Sequence, residues 1–244
     1  MTPDGFTHHT ARTTAGRIHY VRGGSGPLLL LLHGWPQTWF EWRRVMPPLA
    51  EHYTVVAADW RGAGFSGRPA TGYDADTIAA ELREVVRPLA ADEPVTVIRS
   101  VPDIPALLIG GHEPEYLQWF FQHFAYDPGA IAPSDVAEYV RAIRQPGALR
   151  AGLAVYQEYF TSAAQVARHA EQPLDIPVVG FGEACLGGLT LTSVQAVAPK
   201  ATGGVVERSG HWMPEERPDV IVEQALALAR SQTHDVSHRV VDTR

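Results

Sequence analysis

The sequence has few of the features that mark secreted, membrane-embedded or disulfide-stabilised proteins. Its single cysteine, Cys185, excludes an internal disulfide and a cysteine-rich metal site. The longest apolar run, residues 27–32, is too short to cross a membrane, and residues 1–14 lack the apolar stretch of a secretion signal. We therefore expect a cytoplasmic protein that is not attached to a membrane.

Basic residues are also scarce. The 20 lysine and arginine residues are outnumbered by 27 aspartate and glutamate residues, the formal net charge is -7, and no run of basic residues occurs. Because phosphate binding needs a basic surface, this balance argues against nucleic acid as a partner. The 244 residues are 45% hydrophobic, which is enough to bury the core of a globular protein. A small hydrophobic substrate or ligand is the expected partner.

Strand and helix signals alternate along the chain, which predicts an α/β fold with a mostly parallel sheet and helices on both faces. Continuous apolar runs are typical of strands buried on both faces, and they occur at residues 28–32, 54–58 and 95–98. Further strands are predicted at residues 16–21, 178–181 and 204–207. Helices are predicted after Asp76, which can serve as an N-cap, and over residues 218–230.

The stretch 113–171 has a helical pattern, is rich in aromatic residues and is divided by Pro128, Pro133 and Pro146. A helical insertion of this kind between two sheet strands is typical of a lid over an active site. The alternative is a helical subdomain whose aromatic residues fill its own core. The predicted organisation is a core at 1–111 and 172–232, a lid at 112–171 and a polar tail at 233–244.

Three motifs follow predicted strands. The first is His33-Gly34-Trp35-Pro36, where the glycine lets the backbone turn so that the next N–H can face a developing negative charge. This arrangement indicates an oxyanion hole, although a plain strand-ending turn is the alternative. The segments DWRGAGFSGRP (59–69) and SGHWMPEERP (209–218) follow the next strand and the last one.

The motifs HGWPQTWFEW, DWRGAGFSGRP and SGHWMPEERP, together with the helical lid, occur in the order found in epoxide hydrolases. Over nearly its whole length the chain resembles the epoxide hydrolase branch of the α/β-hydrolase superfamily, and within it the Cif-like bacterial subgroup. The resemblance implies an α/β-hydrolase fold with a helical lid. It also implies hydrolysis of a small epoxide, ester or lactone without a metal or a cofactor.

The resemblance also implies roles for individual residues. His211 would be the general base that activates water, because imidazole titrates near neutral pH. The Trp35 N–H would belong to the oxyanion hole, and His33 would shape its loop. Tyr156 would donate a hydrogen bond to the epoxide oxygen.

Three further residues complete this expected site. Glu183 lies where many α/β-hydrolases carry the acid that orients the histidine, although a glutamate in a glycine-rich loop is more often only solvated. Trp212, next to the base, is expected to contact substrate. Asp59 is expected to stabilise its own turn rather than to take part in chemistry.

The pattern breaks where the nucleophile is expected. Epoxide hydrolases attack with a carboxylate held on a sharp turn, which here should follow the strand at 95–98. By the spacing of the family, Val101 occupies that position, and Pro102 opposes the helix that should come next. The sequence therefore predicts that the nucleophile elbow, its helix and one central strand are missing. The loop that carries the triad acid in the Cif-like subgroup would be missing with them.

Ser100, Asp103 and Cys185 are the residues that could substitute for the missing nucleophile, but none lies in the expected turn. Each buried backbone group without a partner costs roughly 1–3 kcal/mol, so an open gap in the sheet is unfavourable. We therefore expect the strand at 95–98 to pair directly with the strand at 178–181. A homodimer that covers the gap is the alternative.

Two functions remain open at this point. The first is a hydrolase that uses His211 as a base without a covalent carboxylate nucleophile. The second is a catalytically inactive descendant that binds a small hydrophobic ligand or a partner protein under its lid. An internal deletion, natural or introduced, in an otherwise ordinary epoxide hydrolase gene is a third interpretation of the same pattern.

Overall fold

The computed structural model describes residues 1–90, 96–99, 112–183 and 188–239. A mixed sheet contains β1 (Thr7–Thr13), β2 (Gly16–Gly23), β3 (Leu28–Leu32), β4 (Thr54–Ala58) and β5 (Thr96–Arg99). The strand order across this sheet is β1-β2-β4-β3-β5. β3 runs parallel to β4 and β5, whereas β2 runs antiparallel to β1 and β4. The α/β class predicted from the sequence is confirmed.

The helices occur between the strands of this sheet in the chain and after β5. A 3-10 helix (Trp39–Arg44) and α1 (Met46–Ala50) precede β4, and α2 (Ala75–Ala90) connects β4 to β5. The next four helices are α3 (Glu113–Phe124), α4 (Pro133–Ile143), α5 (Ala148–Gln157) and α6 (Tyr159–Ala170). They fall within the segment 112–171 that the sequence marks as a lid. The boundaries between core and lid stay a prediction.

The C-terminal part contains a separate two-stranded sheet. Its strands β6 (Val179–Glu183) and β7 (Thr202–Val206) are parallel, with α7 (Leu189–Gln195) between them in the chain. The short α8 (Met213–Glu216) and the long α9 (Pro218–Arg239) follow.

The expected pairing between the strands near residues 95–98 and 178–181 is wrong. In the described residues, the ladder of β5 joins it to β3 and the ladder of β6 joins it to β7. β6 pairs with β7 along all five of its residues. The chain after β7 is bonded to the end of α3 through the His211 N–H and the Phe124 carbonyl (2.8 Å), and contacts of this kind between distant segments are not visible in the sequence of either strand.

The core lies on both faces of β3, as its continuous apolar sequence predicts. All five leucines of β3 are buried. Leu29 and Leu31 belong to the larger cluster, which also contains tryptophans of the 3-10 helix and aromatic residues of α3. The other three leucines pack with Leu82 and Val85 of α2. Each buried leucine contributes roughly 1.5–3 kcal/mol, so this strand stabilises the apolar clusters on both faces of the sheet.

Three local predictions need correction. The side chain of Asp74, not that of Asp76, caps α2 by accepting a hydrogen bond from the Thr77 N–H (3.1 Å). Asp76 lies in the first turn and bonds instead to His169 (2.8 Å). Helix α9 continues to Arg239 and so includes residues 233–239 of the predicted polar tail, which contain no glycine or proline that would end a helix. The edge strand β1 was not predicted, because its polar sequence has no apolar face.

A buried ionic network joins the core to the lid. Arg43 donates to Glu215 Oε1 (2.6 Å) and to Asp135 Oδ2 (2.5 Å), and Tyr139 Oη also donates to Glu215 Oε1 (2.6 Å). The Glu215 side chain has no exposed area. Three elements distant in sequence, the 3-10 helix, α4 and α8, therefore meet at one carboxylate.

We expect Arg43→Met to lower the free energy of unfolding by about 3–5 kcal/mol, because it removes the hydrogen-bonded cation of the buried Glu215 carboxylate and leaves only Arg44, 3.9 Å away. Urea denaturation measures this change. Lys200→Met is the control, since Lys200 and its partner Asp175 are 80% and 83% exposed, and no measurable loss is expected there. Equal stability of the two variants would contradict the assigned role of Arg43.

The cap of α2 predicts a pH dependence. Burial opposes ionisation of Asp74, but hydrogen bonds from Thr77 and Gln165 outweigh it and lower its pKa from 3.8 to about 2. The charge of Asp74 therefore stabilises the fold fully above pH 3.8, and this stabilisation is lost as the pH falls through about 2. Asp74→Asn keeps a neutral cap, so the wild type should be more stable by roughly 0.3–1 kcal/mol near pH 6.

Urea unfolding of the wild type and of Asp74→Asn at several pH values tests this prediction. The stability difference between them should shrink towards pH 2. A difference that stays constant over the whole pH range would refute the carboxylate as its source.

Candidate active site

His211 lies in the loop between β7 and α8, where the sequence predicts a general base. Its Nδ1 is 3.2 Å from Glu183 Oε1 and 3.3 Å from Oε2. Glu183 is the last residue of β6 and pairs in register with Val206, the last residue of β7. Because parallel strands end at the same edge of a sheet, the acid and the base meet there.

Both side chains of this pair are partly buried, with 16% of His211 and 14% of Glu183 exposed. The carboxylate accepts from Nδ1–H, which leaves Nε2 as the nitrogen that can take a proton. The arrangement has the geometry of an acid that orients a general base.

The loop that carries His211 is attached to the end of α3. The backbone N–H of His211 donates to the Phe124 carbonyl (2.8 Å). The Glu216 carboxylate accepts the N–H groups of Gly210 (2.7 Å), Tyr126 (2.5 Å) and Asp127 (3.0 Å). The Glu216 side chain therefore connects the loop of His211 to the residues that directly follow α3.

The sequence gives only a partial signal for this attachment. Two adjacent glutamates follow the histidine in SGHWMPEERP, but Glu215 bonds to Arg43 whereas Glu216 bonds to the backbone. Gly210 is required because a Cβ there would lie 2.4 Å from the Phe124 carbonyl oxygen. The sequence around Gly210 does not indicate that a distant segment approaches its backbone so closely.

The loop after β3 is held from several directions, as expected for an oxyanion loop. Gly34 N–H donates to the buried Glu41 carboxylate (3.3 Å). His33 Nδ1 donates to the Gly34 carbonyl (2.8 Å), and Trp60 Nε1 donates to the His33 carbonyl (3.1 Å). The His33 side chain is buried, so it shapes the loop from inside. Among the described residues, the Trp35 amide meets no hydrogen-bond acceptor of the protein.

A series of aromatic rings leads from this loop to the base. Tyr156 lies edge-on to Trp35 with 5.7 Å between ring centroids, and Trp35 lies 6.2 Å from Phe120. Phe120 is 5.1 Å from Phe124, which is 6.2 Å from His211. The predicted residues Tyr156, Trp35 and His211 therefore border one aromatic wall contributed by the lid helix α3.

Trp212 has a different environment from the one expected. Its indole N–H donates to the Phe121 carbonyl (2.9 Å), its ring packs 4.8 Å from that of Phe121, and only 2% of the residue is exposed. These contacts make it a packing residue between the base and α3. A contact with substrate stays a prediction.

Asp59 stabilises its turn, as expected, and also joins neighbouring segments. Its fully buried carboxylate accepts from His19 Nδ1 (2.8 Å), the Trp39 N–H (2.8 Å) and the Phe65 N–H (3.1 Å), and it lies 3.6 Å from His33 Nε2. Burial alone would raise the pKa of Asp59, but these hydrogen bonds and the nearby imidazoles lower it below its ordinary value. The carboxylate is therefore ionised at neutral pH.

Five residues at or near the predicted nucleophile position, or proposed to replace the nucleophile, lie outside the described residues. They are the predicted nucleophile position Val101, its neighbour Pro102, and the candidate substitutes Ser100, Asp103 and Cys185. Among the residues that are described, no group of histidine, cysteine, aspartate and glutamate side chains is arranged to hold a metal ion. Within the same residues, no helix combines the length and the apolar sequence needed to cross a membrane.

Glu216→Ala should speed hydrogen exchange of the Gly210, Tyr126 and Asp127 amides by about tenfold or more, since each loses a charged acceptor worth about 1.5–3 kcal/mol. Amide exchange followed by NMR measures this effect. Glu207→Ala, on the exposed turn before the same loop, should leave these rates unchanged. Unchanged rates in both variants would exclude Glu216 as the anchor.

The comparisons with known proteins agree with this architecture. A family model described as alpha/beta hydrolase fold matches residues 27–100. A soluble epoxide hydrolase of Corynebacterium sp. (strain C12) is 34% identical over 275 residues, covering 91% of this chain and 96% of the relative. A fluoroacetate dehalogenase of Burkholderia sp is 44% identical over 91 residues, which cover 35% of this chain and 30% of that protein.

Solved structures give the same result. The crystal structure of wild-type Cfl2 from Burkholderia cenocepacia has a TM-score of 0.80 at 30% identity, covering 90% of this chain and 94% of that one. The epoxide hydrolase CorEH without ligand has a TM-score of 0.79 at 31% identity, covering 93% and 99%. The predicted α/β-hydrolase fold is thereby confirmed, and the chain belongs to the epoxide hydrolase branch of the α/β-hydrolase superfamily.

Proposed function

We propose that this protein hydrolyses a small epoxide, ester or lactone by direct attack of a water molecule that His211 activates. The observation that carries the proposal is the contact of 3.2 Å between His211 Nδ1 and Glu183 Oε1. Glu183 orients the imidazole and stabilises the imidazolium that forms when Nε2 accepts a proton. This pair needs no residue of the nucleophile elbow.

For an epoxide, the proposed step balances as follows. The water oxygen forms a bond to one ring carbon, its proton passes to His211 Nε2, and the bond between that carbon and the ring oxygen breaks. The alkoxide that results takes a proton from Tyr156 Oη, and the proton on His211 returns through solvent to the tyrosinate. The product is a vicinal diol. With an ester or lactone, the developing oxyanion is stabilised by the Trp35 N–H.

Two comparisons support the absence of the usual nucleophile. The match to the family model ends at residue 100, one position before Val101. The alignment with the Corynebacterium epoxide hydrolase extends over 275 residues, more than the 244 of this chain, so it includes positions that the relative has and this chain lacks. Both observations fit a deletion after β5.

A second candidate function is binding without turnover. It is favoured by Val101 itself, because an alkyl side chain at the nucleophile position offers no attacking atom. The aromatic wall around Phe120 would then bind a small hydrophobic molecule under the lid. This function requires no proton transfer at His211.

Turnover of styrene oxide and of p-nitrophenyl acetate distinguishes these functions. His211→Gln and Glu183→Gln should each reduce the rate by about 10²- to 10⁴-fold, the range expected for loss of general base catalysis. His169→Gln is the matched control, because His169 also bonds to a carboxylate but is 70% exposed on the lid surface. It should retain the full rate.

A single turnover of styrene oxide in H₂¹⁸O, with enzyme in excess, tests the attack by water. Direct attack places ¹⁸O in the diol formed in the first turnover, whereas a covalent carboxylate intermediate places unlabelled enzyme oxygen there. Unlabelled diol, or equal rates for the wild type and His211→Gln, would reject the proposed mechanism. Thermal stabilisation by styrene oxide without any turnover would instead favour the binding function.

A further inference from the structure

A second hydrogen-bonded series of titratable groups lies on the β1 side of the sheet. Asp59 Oδ2 is 2.8 Å from His19 Nδ1, and His19 Nε2 is 2.8 Å from His8 Nδ1. His8 Nε2 is in turn 2.8 Å from the hydroxyl of Thr2. The series runs from a fully buried carboxylate to an exposed imidazole, and the mechanism proposed for His211 uses none of its members.

The protons of this series have one consistent arrangement when both imidazoles are neutral. Ionised Asp59 accepts from His19 Nδ1–H, so His19 Nε2 carries a lone pair and accepts from His8 Nδ1–H. His8 Nε2 then also carries a lone pair and accepts from the Thr2 hydroxyl. Burial and the neighbouring His19 lower the pKa of His8 below its ordinary value of 6.5, so the outer imidazole of the series is neutral at pH 8.

The outer end of the series faces a cavity of about 430 Å³. Its walls include the rings of Trp39 and Phe65, each edge-on to one imidazole of the series at 5.2 Å. Arg141, held by Glu138, stacks over the Phe65 ring at 4.9 Å and provides a positive charge at the rim. The cavity thus combines aromatic walls, a hydrogen-bond acceptor and the ion pair of Arg141 with Glu138.

We propose that this cavity is a second binding site, separate from His211, for a small aromatic molecule that donates a hydroxyl hydrogen bond to His8 Nε2. The hydroxyl of Thr2 now occupies that acceptor, which indicates the kind of group that fits it. Asp59 and His19 orient the acceptor from inside the protein, as a second-layer carboxylate orients a catalytic imidazole.

The cavity favours phenols over aliphatic alcohols for a physical reason. Edge-on and stacked contacts between rings add to the gain from burying apolar area, and two of the walls are aromatic. A phenol also keeps its proton at pH 8, because its pKa is near that of tyrosine, about 10. It therefore donates to His8 without first losing the proton.

The experiment is a titration of the protein with phenol at pH 8, followed by NMR of ¹³C-labelled histidine side chains. The His8 resonance should shift and saturate. Thr2→Val removes the competing hydroxyl without changing the shape of the side chain, so it should bind phenol about threefold to tenfold more tightly, the equivalent of one neutral hydrogen bond. Ligand-observed NMR should show that His8→Phe weakens binding by at least the same factor.

Three controls make the result specific. Anisole has the ring of phenol but no hydroxyl proton, so its affinity should not depend on His8. His9→Phe alters the next residue of β1, which bonds to Thr7 and stacks on Tyr20, and should bind phenol like the wild type. His211→Gln should also bind it normally.

Four outcomes would overturn the proposal. They are no saturable shift with phenol, equal affinities for the wild type and His8→Phe, a His8-dependent affinity for anisole, and loss of phenol binding in His211→Gln. The last result would assign the phenol to the hydrolase site instead. None of the four bears on catalysis by His211, which is tested separately by turnover.

Discussion

The ionised carboxylate of Asp59 holds together the part of the structure on which both sites depend. It is completely buried, and its oxygens accept from β2 through His19, from the start of the 3-10 helix through Trp39, and from its own turn through Phe65. A buried charge is tolerated only when it is fully hydrogen-bonded. The three segments must therefore keep their relative positions for Asp59 to stay ionised. One consequence is that Asp59 also helps to position the loop of His33, whose Nε2 lies 3.6 Å from Asp59 Oδ1.

A second constraint couples the base to the lid. Within the described part of the chain, no strand pairs with the loop of His211. Two of its N–H groups, those of Gly210 and His211, bond to Glu216 and to the Phe124 carbonyl, and Glu216 also accepts the N–H groups of Tyr126 and Asp127 after α3. The end of α3 cannot lift away without disturbing the imidazole. The predicted lid thus also helps to hold the proposed general base in place.

The lid also compensates for the division of the sheet. The proposed acid and base follow the pair β6–β7, whereas the predicted oxyanion loop follows β3 in the other sheet. In the described residues these two parts are joined through the aromatic wall of α3 and through the ionic network of Arg43, Tyr139 and Glu215. Packing and buried charge therefore connect the two parts, between which no strand pairing occurs in the described residues.

The sequence by itself determined the features that depend on neighbouring residues. Five consecutive leucines predict β3, HGWP predicts the turn after it, and SGHW identifies His211, because strand burial, glycine turns and family motifs are local patterns. Glu183 was predicted from the position at which many α/β-hydrolases carry their acid, and it lies 3.2 Å from His211 because it ends the strand beside β7.

Only the tertiary structure decided which distant side chains meet. Glu215 bonds to Arg43 and Glu216 to the end of α3, although the two glutamates are adjacent and chemically alike. His8 contacts His19 only because β1 pairs with β2 in this register. The sheet is divided because, among the described strands, β6 pairs with β7 and not with β5. These contacts arise when separate elements pack, so no local stretch of residues encodes them.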